Sequence, residues 1–245
     1  MGMDQEQLKY MRESGKINSL AIEHAIQNAV PGVSLIQLDQ MIDSFIKNQN
    51  AFSAFKGYMG YQHASCLSVN NIAVHGVPSS YILKLGDKLS IDVGTVKHDW
   101  YSDAARTIVI GNSHFKSDSE IICLALIDII KPGMTAWDLC TEADRLSKIH
   151  NMNIFEDFGG HFIGRSLHEQ SILFHSTNIK KEFSDKMKSI IFKEMDTICI
   201  EPIVTKIKPK YSVHNDGWSV LTCDPNCSHH EHTILITNSG NEILS

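Results

Sequence analysis

The chain has 245 residues, with 22 Lys and Arg against 28 Asp and Glu, a formal net charge of −6 with His neutral, 42% apolar and 20% charged residues. This composition excludes a disordered, collagen-like or coiled-coil chain. The acidic balance excludes nucleic-acid binding through a broad basic face, so no DNA partner is expected. The length suffices for one large, well-buried core, and the 13 histidines are the one unusual count.

The N-terminus, MGMDQEQLKYMRESGK, is polar and lacks the apolar stretch of a secretory signal. The longest strongly apolar run, residues 121–130, is interrupted by Asp128. It falls short of the roughly 20 residues that span a bilayer, so no membrane partner is expected. Six cysteines lie mostly inside apolar segments of a chain too large to need disulfides, which predicts a reducing cytoplasm.

Leu8, Met11, Ile17, Leu20, Ala21, Ile22 and Ile26 recur at mostly helical spacing until Pro31-Gly32, predicting a first helix within residues 5–30. Ser34 caps a second helix that gathers Leu35, Leu38, Ile42, Phe45 and Ile46 on one side. The phrase PGVSLIQL at 31–38 returns as PGMTAWDL at 132–139, again after an apolar helix for which Asp118 or Ser119 reads as the cap. The repeat continues into strands: DKLSID at 87–92 matches DTICIE at 196–201, and TIVI at 107–110 matches TILI at 233–236. Two helices followed by β-structure, occurring twice, predict an α+β fold of two pseudo-symmetric halves, roughly 5–115 and 116–245. Their strands would join in one sheet covered on one face by four helices. No linker divides the halves, so residues 1–245 read as a single domain.

Residues 90–110 alternate as a hairpin turning near Lys97-His98-Asp99. A turn centred between His98 and Asp99 sets residue 92 opposite residue 105. Asp103 then shares a face with Asp92 at a diagonal distance of about 7–8 Å. The repeat makes Glu201 the equivalent of Asp92 and sets Glu231 at the equivalent of residue 105. Four carboxylates thus converge among Ile91, Val93, Ile200 and Ile234, where they must hold protons or cations. Such oxygen-rich clusters suit a pair of divalent metals, with one imidazole to complete the site.

Among the histidines, His161 stands in a Gly-rich segment where backbones approach closely, and His168 follows it. His75 lies at a strand end, and His232, next to Glu231, points to the opposite face. His24, His63, His98, His114, His150, His175 and His214 read as surface or packed residues. A separate zinc site through Cys223, Cys227, His229 and His230 leaves almost no loop between ligand pairs. Asp224-Pro225-Asn226 reads better as a hairpin tip.

In order, SVNNIAVHGVP, IDVGTVKHDWYSDAART, GGHFIGRSLHE, CIEP, DGW and EHTI resemble the motifs of type I methionine aminopeptidases of the pita-bread fold, over essentially the whole chain. The resemblance implies a curved, mainly antiparallel sheet covered by helices. It also implies two divalent metal ions, Co, Mn, Fe or Zn, held by Asp92, Asp103, His161, Glu201 and Glu231, with Asp103 and Glu231 bridging. It implies removal of the N-terminal methionine from nascent chains, with a water between the metals as nucleophile. Glu201 would be general base and acid, His168 would bind the scissile carbonyl oxygen, and His75 would bind the following amide. Phe55, Tyr58, Tyr61, Cys66, His75, Leu167 and Trp218 would line the methionine pocket. Three positions depart from the family: Phe162 stands where a small Gly is common, Leu167 where an aromatic is, and Phe55 where a smaller residue is, together reshaping the pocket mouth. The rivals are an X-Pro dipeptidase, usually longer by an N-terminal domain, and a non-catalytic module of the same fold. Nascent substrates imply transient ribosome contact, for which Lys206, Lys208 and Lys210 form the compact basic patch. Nothing demands more than a monomer.

Overall fold

The computed structural model describes residues 4–245. Helices α1 (Gln5–Asn28) and α2 (Leu35–Asn48) lead into β1 (Phe52–Ser53), β2 (Ser65–Val69), β3 (Ile72–Val74) and the long hairpin of β4 (Lys88–Lys97) and β5 (Trp100–Val109). The second half opens with α3 (Asp118–Ile129) and α4 (Ala136–Ile149), followed by β6 (Asn153–Ile154), β7 (Gly159–Phe162) and β8 (Glu169–Phe174). It continues through α5 (Lys181–Ser189), β9 (Thr197–Ile200), β10 (Ile203–Thr205), β11 (Tyr211–Val213), β12 (Val220–Thr222), β13 (Ser228–His229), β14 (Glu231–Ile236) and β15 (Asn241–Ile243).

The repeat is visible in the helix starts. Ser34 Oγ accepts from the Gln37 amide at 3.2 Å while Gln37 Oε1 accepts from the Ser34 amide at 3.0 Å. Thr135 and Asp138 make the same reciprocal pair at 3.1 and 2.8 Å. Each pair satisfies two amides that a helix start leaves free. The third helix begins differently from its prediction: Ser117 is the cap, its Oγ accepting from the Glu120 amide at 3.1 Å, and Asp118 is already helical. A fifth helix, α5, was not foreseen, because its KEFSDKMKS sequence buries only Ser184 and Met187.

Strands of both halves join in one nine-stranded antiparallel sheet, ordered β1-β4-β5-β14-β9-β7-β8, with β2 also on β4 and β15 on β14. The hairpin turns at His98 and Asp99, both at positive φ (53° and 60°), the backbone of a two-residue turn matched to strand twist. Asp92 therefore pairs with Ala105 and Gly94 with Asp103. Glu231 also pairs with Ala105, its own repeat equivalent. An approximate two-fold axis between antiparallel strands must pass through such a self-related pair, so the two halves meet where their carboxylates are.

Two helix-on-sheet cores flank this seam. Leu38, Ile42 and Ile46 of α2 pack with Leu67, Leu89 and Ile91 in the first half. Ile122, Leu126, Leu139 and Ala143 of α3 and α4 pack with Ile198, Ile200 and Ile234 in the second. Asn18 of α1 ties helix to hairpin, its Nδ2 donating to Val93 O at 2.6 Å and Ser102 O at 3.0 Å. A third cluster, including Phe55, Tyr61, Cys66, Ile163 and Leu167, draws on both halves and leads to the site. Among the described residues no helix is long and apolar enough to cross a membrane.

Candidate active site

A cavity of about 360 Å³ opens over the seam and is lined by Asp92, Asp103, His161, Glu201, Glu231, His75, His168, Phe55, Tyr58, Tyr61, Cys66, Leu167 and Trp218. Every site residue expected from sequence is therefore on its wall. Met59 joins them from the short turn after Gly57, a position that no sequence pattern marks.

β4 and β5 carry Asp92 and Asp103, β14 begins with Glu231, β7 carries His161, and Glu201 directly follows β9. Oxygens of Asp92, Asp103 and Glu231 lie within 4.8 Å of one another. Thr233 fixes Asp103 from the neighbouring strand, its Oγ1 accepting from the Asp103 amide at 2.9 Å and donating to Asp103 O at 2.8 Å. β7 reaches β9 because residue 160 is Gly: a Cβ there would stand 1.9 Å from Cys199 O. That approach delivers His161, whose Nε2 lies 3.7 Å from Glu201 Oε1. The ring is turned by its other nitrogen, 3.1 Å from Phe162 O; with the proton on Nδ1, Nε2 is free to bind a cation.

These acids are held far from ordinary carboxylate behaviour. Burial pushes Asp103 up to about 7. It pushes Asp92, Glu201 and Glu231 well above their usual range, with repulsion from neighbouring carboxylates adding to it. Burial also lowers His161 to about 3, keeping the ring neutral as a ligand must be. Asp92 Oδ1 and Glu231 Oε1 are buried without a hydrogen-bond partner. Four crowded acids, two orphaned oxygens and one imidazole fit divalent first-row cations, which supply the missing partners. Cys199 also lies within 4.8 Å of His161 and Glu231. Burial and the nearby acids push its thiol well up, and its Sγ pairs with Thr233 Oγ1 at 3.5 Å, so oxygen donors are preferred.

The substrate side is apolar with polar ends. Tyr61 and Trp218 meet edge to face at 5.0 Å, and Phe55 packs over Gly94, where a Cβ would stand 2.6 Å from its Cε1. His168 Nδ1 lies 2.8 Å from the Tyr58 hydroxyl, which can donate to it and leave Nε2 as the donor. His75 sits at φ 57° after β3, open to the cavity yet enclosed enough that burial lowers it to about 4.

Some expectations change. Phe162 does not narrow the cavity: strand alternation turns it away from His161 into the second-half core, 6.4 Å from Phe192. The Asp224-Pro225-Asn226 turn links strands of two different three-stranded sheets and is not a hairpin tip. Among the described residues, the clusters able to hold a metal contain neither Cys223 nor Cys227. His229, considered only for the Cys223–Cys227 arrangement, lies beside Glu201 and within 4.8 Å of both Glu201 and Glu231 donor atoms, and His232 faces away against Arg106. Lys206 pairs with Asp118 at 3.1 Å, which weakens the basic patch.

Comparison with known proteins agrees with this architecture. The chain is 33% identical to methionine aminopeptidase 1 of Bacillus subtilis, covering 98% of this chain and 96% of that protein. The crystal structure of a methionine aminopeptidase from Thermotoga maritima superposes with a TM-score of 0.90 at 30% identity, over 100% of this chain and 98% of that one. A prolidase from Pyrococcus furiosus shares the fold at a TM-score of 0.73 and 23% identity, and this chain covers 64% of it. The sequence model described as metallopeptidase family M24 matches residues 9–238, which takes in both halves and every donor at their seam. The chain belongs to metallopeptidase family M24.

Proposed function

We propose that this chain is a divalent-metal aminopeptidase that removes the N-terminal methionine from newly made chains. The observation that carries the reading is the convergence of four acids and His161, drawn from both halves, on one cavity with an apolar end. Asp92, Asp103, His161, Glu201 and Glu231 are the residues that would hold a pair of divalent cations; Co, Mn, Fe or Zn would all suit such donors. When bound, the cations supply Lewis-acid chemistry, making water a nucleophile near neutral pH and polarising the scissile carbonyl.

The protein groups do the rest. Glu201 takes the proton from the attacking water and returns it to the leaving amine. His168, braced by Tyr58, hydrogen-bonds the carbonyl oxygen as charge develops on it. His75 meets the amide of the second residue, and Asp92 orients the free α-amine, so an internal peptide bond is not positioned for attack. Phe55, Tyr61, Cys66, Leu167 and Trp218 enclose the thioether, which gains from contact with aromatic edges. One chain supplies the whole site, consistent with work as a monomeric, single catalytic unit.

Release of Met from Met-Ala-Ser by the metal-loaded protein, with Ala-Pro left intact, is the expected result. Cleavage of Ala-Pro alone would assign the site to X-Pro chemistry, and cleavage of neither would remove the enzymatic reading. Nascent-chain substrates imply transient ribosome contact. It predicts that changing Lys206, Lys208 and Lys210 together to Ala lowers co-sedimentation with ribosomes, and unchanged co-sedimentation removes it.

A further inference from the structure

Glu201 faces an imidazole on each side: its Oε1 lies 3.7 Å from His161 Nε2, and its Oε2 lies 3.5 Å from His229 Nε2. The two rings are not equivalent. His161 lines the cavity, whereas His229 is 2% exposed and does not, so it stands behind the carboxylate.

The backbone of His229 is fixed twice. β13 pairs with β10 so that His229 opposes Ile203, two residues beyond Glu201. Thr107 Oγ1 accepts from the His229 amide at 2.9 Å and donates to His229 O at 2.7 Å. The ring therefore has little freedom to leave Glu201. Its Nε2 is buried with no hydrogen-bond partner, and buried polar atoms rarely stay unpaired. The acceptor closest at hand is Glu201 Oε2, and hydrogen bonds at unliganded sites commonly tighten when the site is filled.

We propose that His229 is the positioning residue of Glu201: its Nε2–H donates to Oε2 and keeps Oε1 turned toward the cavity beside His161. The inference rests on the metallopeptidase reading above. It assigns His229 the Nε2-protonated tautomer. A ring that acts behind its carboxylate, rather than through a lone pair in the cavity, is an outer partner that sets the orientation of a ligand. The sequence hides this role, because Glu201 and His229 are 28 residues apart and β10 joins them only in the fold.

Two substitutions separate orientation from mere filling of space. His229→Gln keeps an N–H donor of similar reach, and His229→Leu keeps the volume without a donor. At saturating Mn(II), kcat for Met-Ala-Ser is expected to fall about 10–100-fold in His229→Leu with KM within about twofold, and His229→Gln is expected to recover most of the loss. A wild-type kcat in His229→Leu, or equal losses in both variants, overturns the proposal. Should the Leu variant fail to fold, ¹⁵N NMR of the Zn(II)-loaded wild type decides. A proton on Nε2 of His229 supports the role, while an Nε2 without a proton, whether bare or bound to Zn(II), overturns it. Absence of Met release by the wild type would defeat the enzymatic reading and leave the tautomer measurement to judge His229 separately.

Discussion

In the first half, Asp92 and Asp103 come from one uninterrupted hairpin in which every residue from Lys88 to Lys97 has a partner. In the second, His161, Glu201 and Glu231 come from three places, and β7 meets β9 through the single pair Phe162↔Ile198. The register of β7 with β8 also shifts between Gly160 and Phe162. The repeat thus supplies equivalent acids by unequal means. Local pairing positions the first pair, while the second set depends on a close backbone approach and on the packing of α3 and α4. The first half frames the site by continuous local pairing, and the second is where substitutions should perturb it most.

The largest expected effect treats the halves as equals. Asp103→Asn and Glu231→Gln each remove an acid from the seam. Each should lower Met release beyond the 10–100-fold typical of outer-shell partners, and metal content measured beside activity should fall in both. Retention of activity by either variant would show that one half suffices.

Glycine substitutions probe the inequality. Gly160→Ala drives a Cβ into the Cys199 carbonyl, whereas Gly94→Ala meets the ring of Phe55 and the Cβ of Ala54. Overpacking costs typically about 1–3 kcal/mol, and a backbone obstacle that cannot rotate away belongs at or above the top of that range. Denaturant melts should rank Gly160→Ala as the more damaging change, with weaker metal binding because His161 is displaced. The opposite order would contradict the soft-second-half picture.

A pH series on metal-stripped protein gives a smaller, signed effect. Burial lowers the folded values of the site's histidines, His161 to about 3 and His75 to about 4, and above roughly pH 7.5 an unfolded histidine, near about 6.5, has lost most of its proton too. The acids run the other way: Asp103 is raised to about 7, and Asp92, Glu201 and Glu231 lie well above their usual range. The folded chain then holds protons that the unfolded chain, with carboxyls near about 4, has released. Stability must fall as pH rises. Between roughly pH 7.5 and 8.5, above the range in which unfolded histidines still bind protons, the Tm of stripped protein should drop, less steeply in Asp103→Asn, and cations that replace the protons should abolish the drop. A flat profile for stripped wild type would mean the four acids do not share one buried site.

The smallest effect returns to symmetry. Ser34→Ala and Thr135→Ala each remove one member of a reciprocal cap and should cost about 1 kcal/mol alike. A marked inequality in urea melts would show that the repeat is retained in sequence but not in energetics.

What the residues alone disclosed follows the same division. The hairpin register was legible because a two-residue turn and period-two alternation fix it, so Asp92 and Asp103 could be set on one face. The repeat extended this to Glu201 and Glu231. Other features needed three dimensions. Ser117, Asp118 and Ser119 are all acceptable caps, and in the fold Ser117 is the one with extended backbone whose Oγ reaches the Glu120 amide. The α5 segment is too polar to announce a buried side. Strand parity turns Phe162 from the site, but the Gly-rich segment around His161 does not announce itself as a strand. His229 had no role in the sequence once the cysteine-histidine spacing argued against a zinc site, and β10 brings it to Glu201 only in the fold.

The central claim, that acids from both halves form one catalytic metal centre, is tested most directly by Met release from Met-Ala-Ser during titration of chelator-stripped protein with Mn(II) or Co(II). The account predicts negligible release without metal and a rise that saturates as the cations bind. Release that is indifferent to metal, or no release at saturating metal, would contradict it.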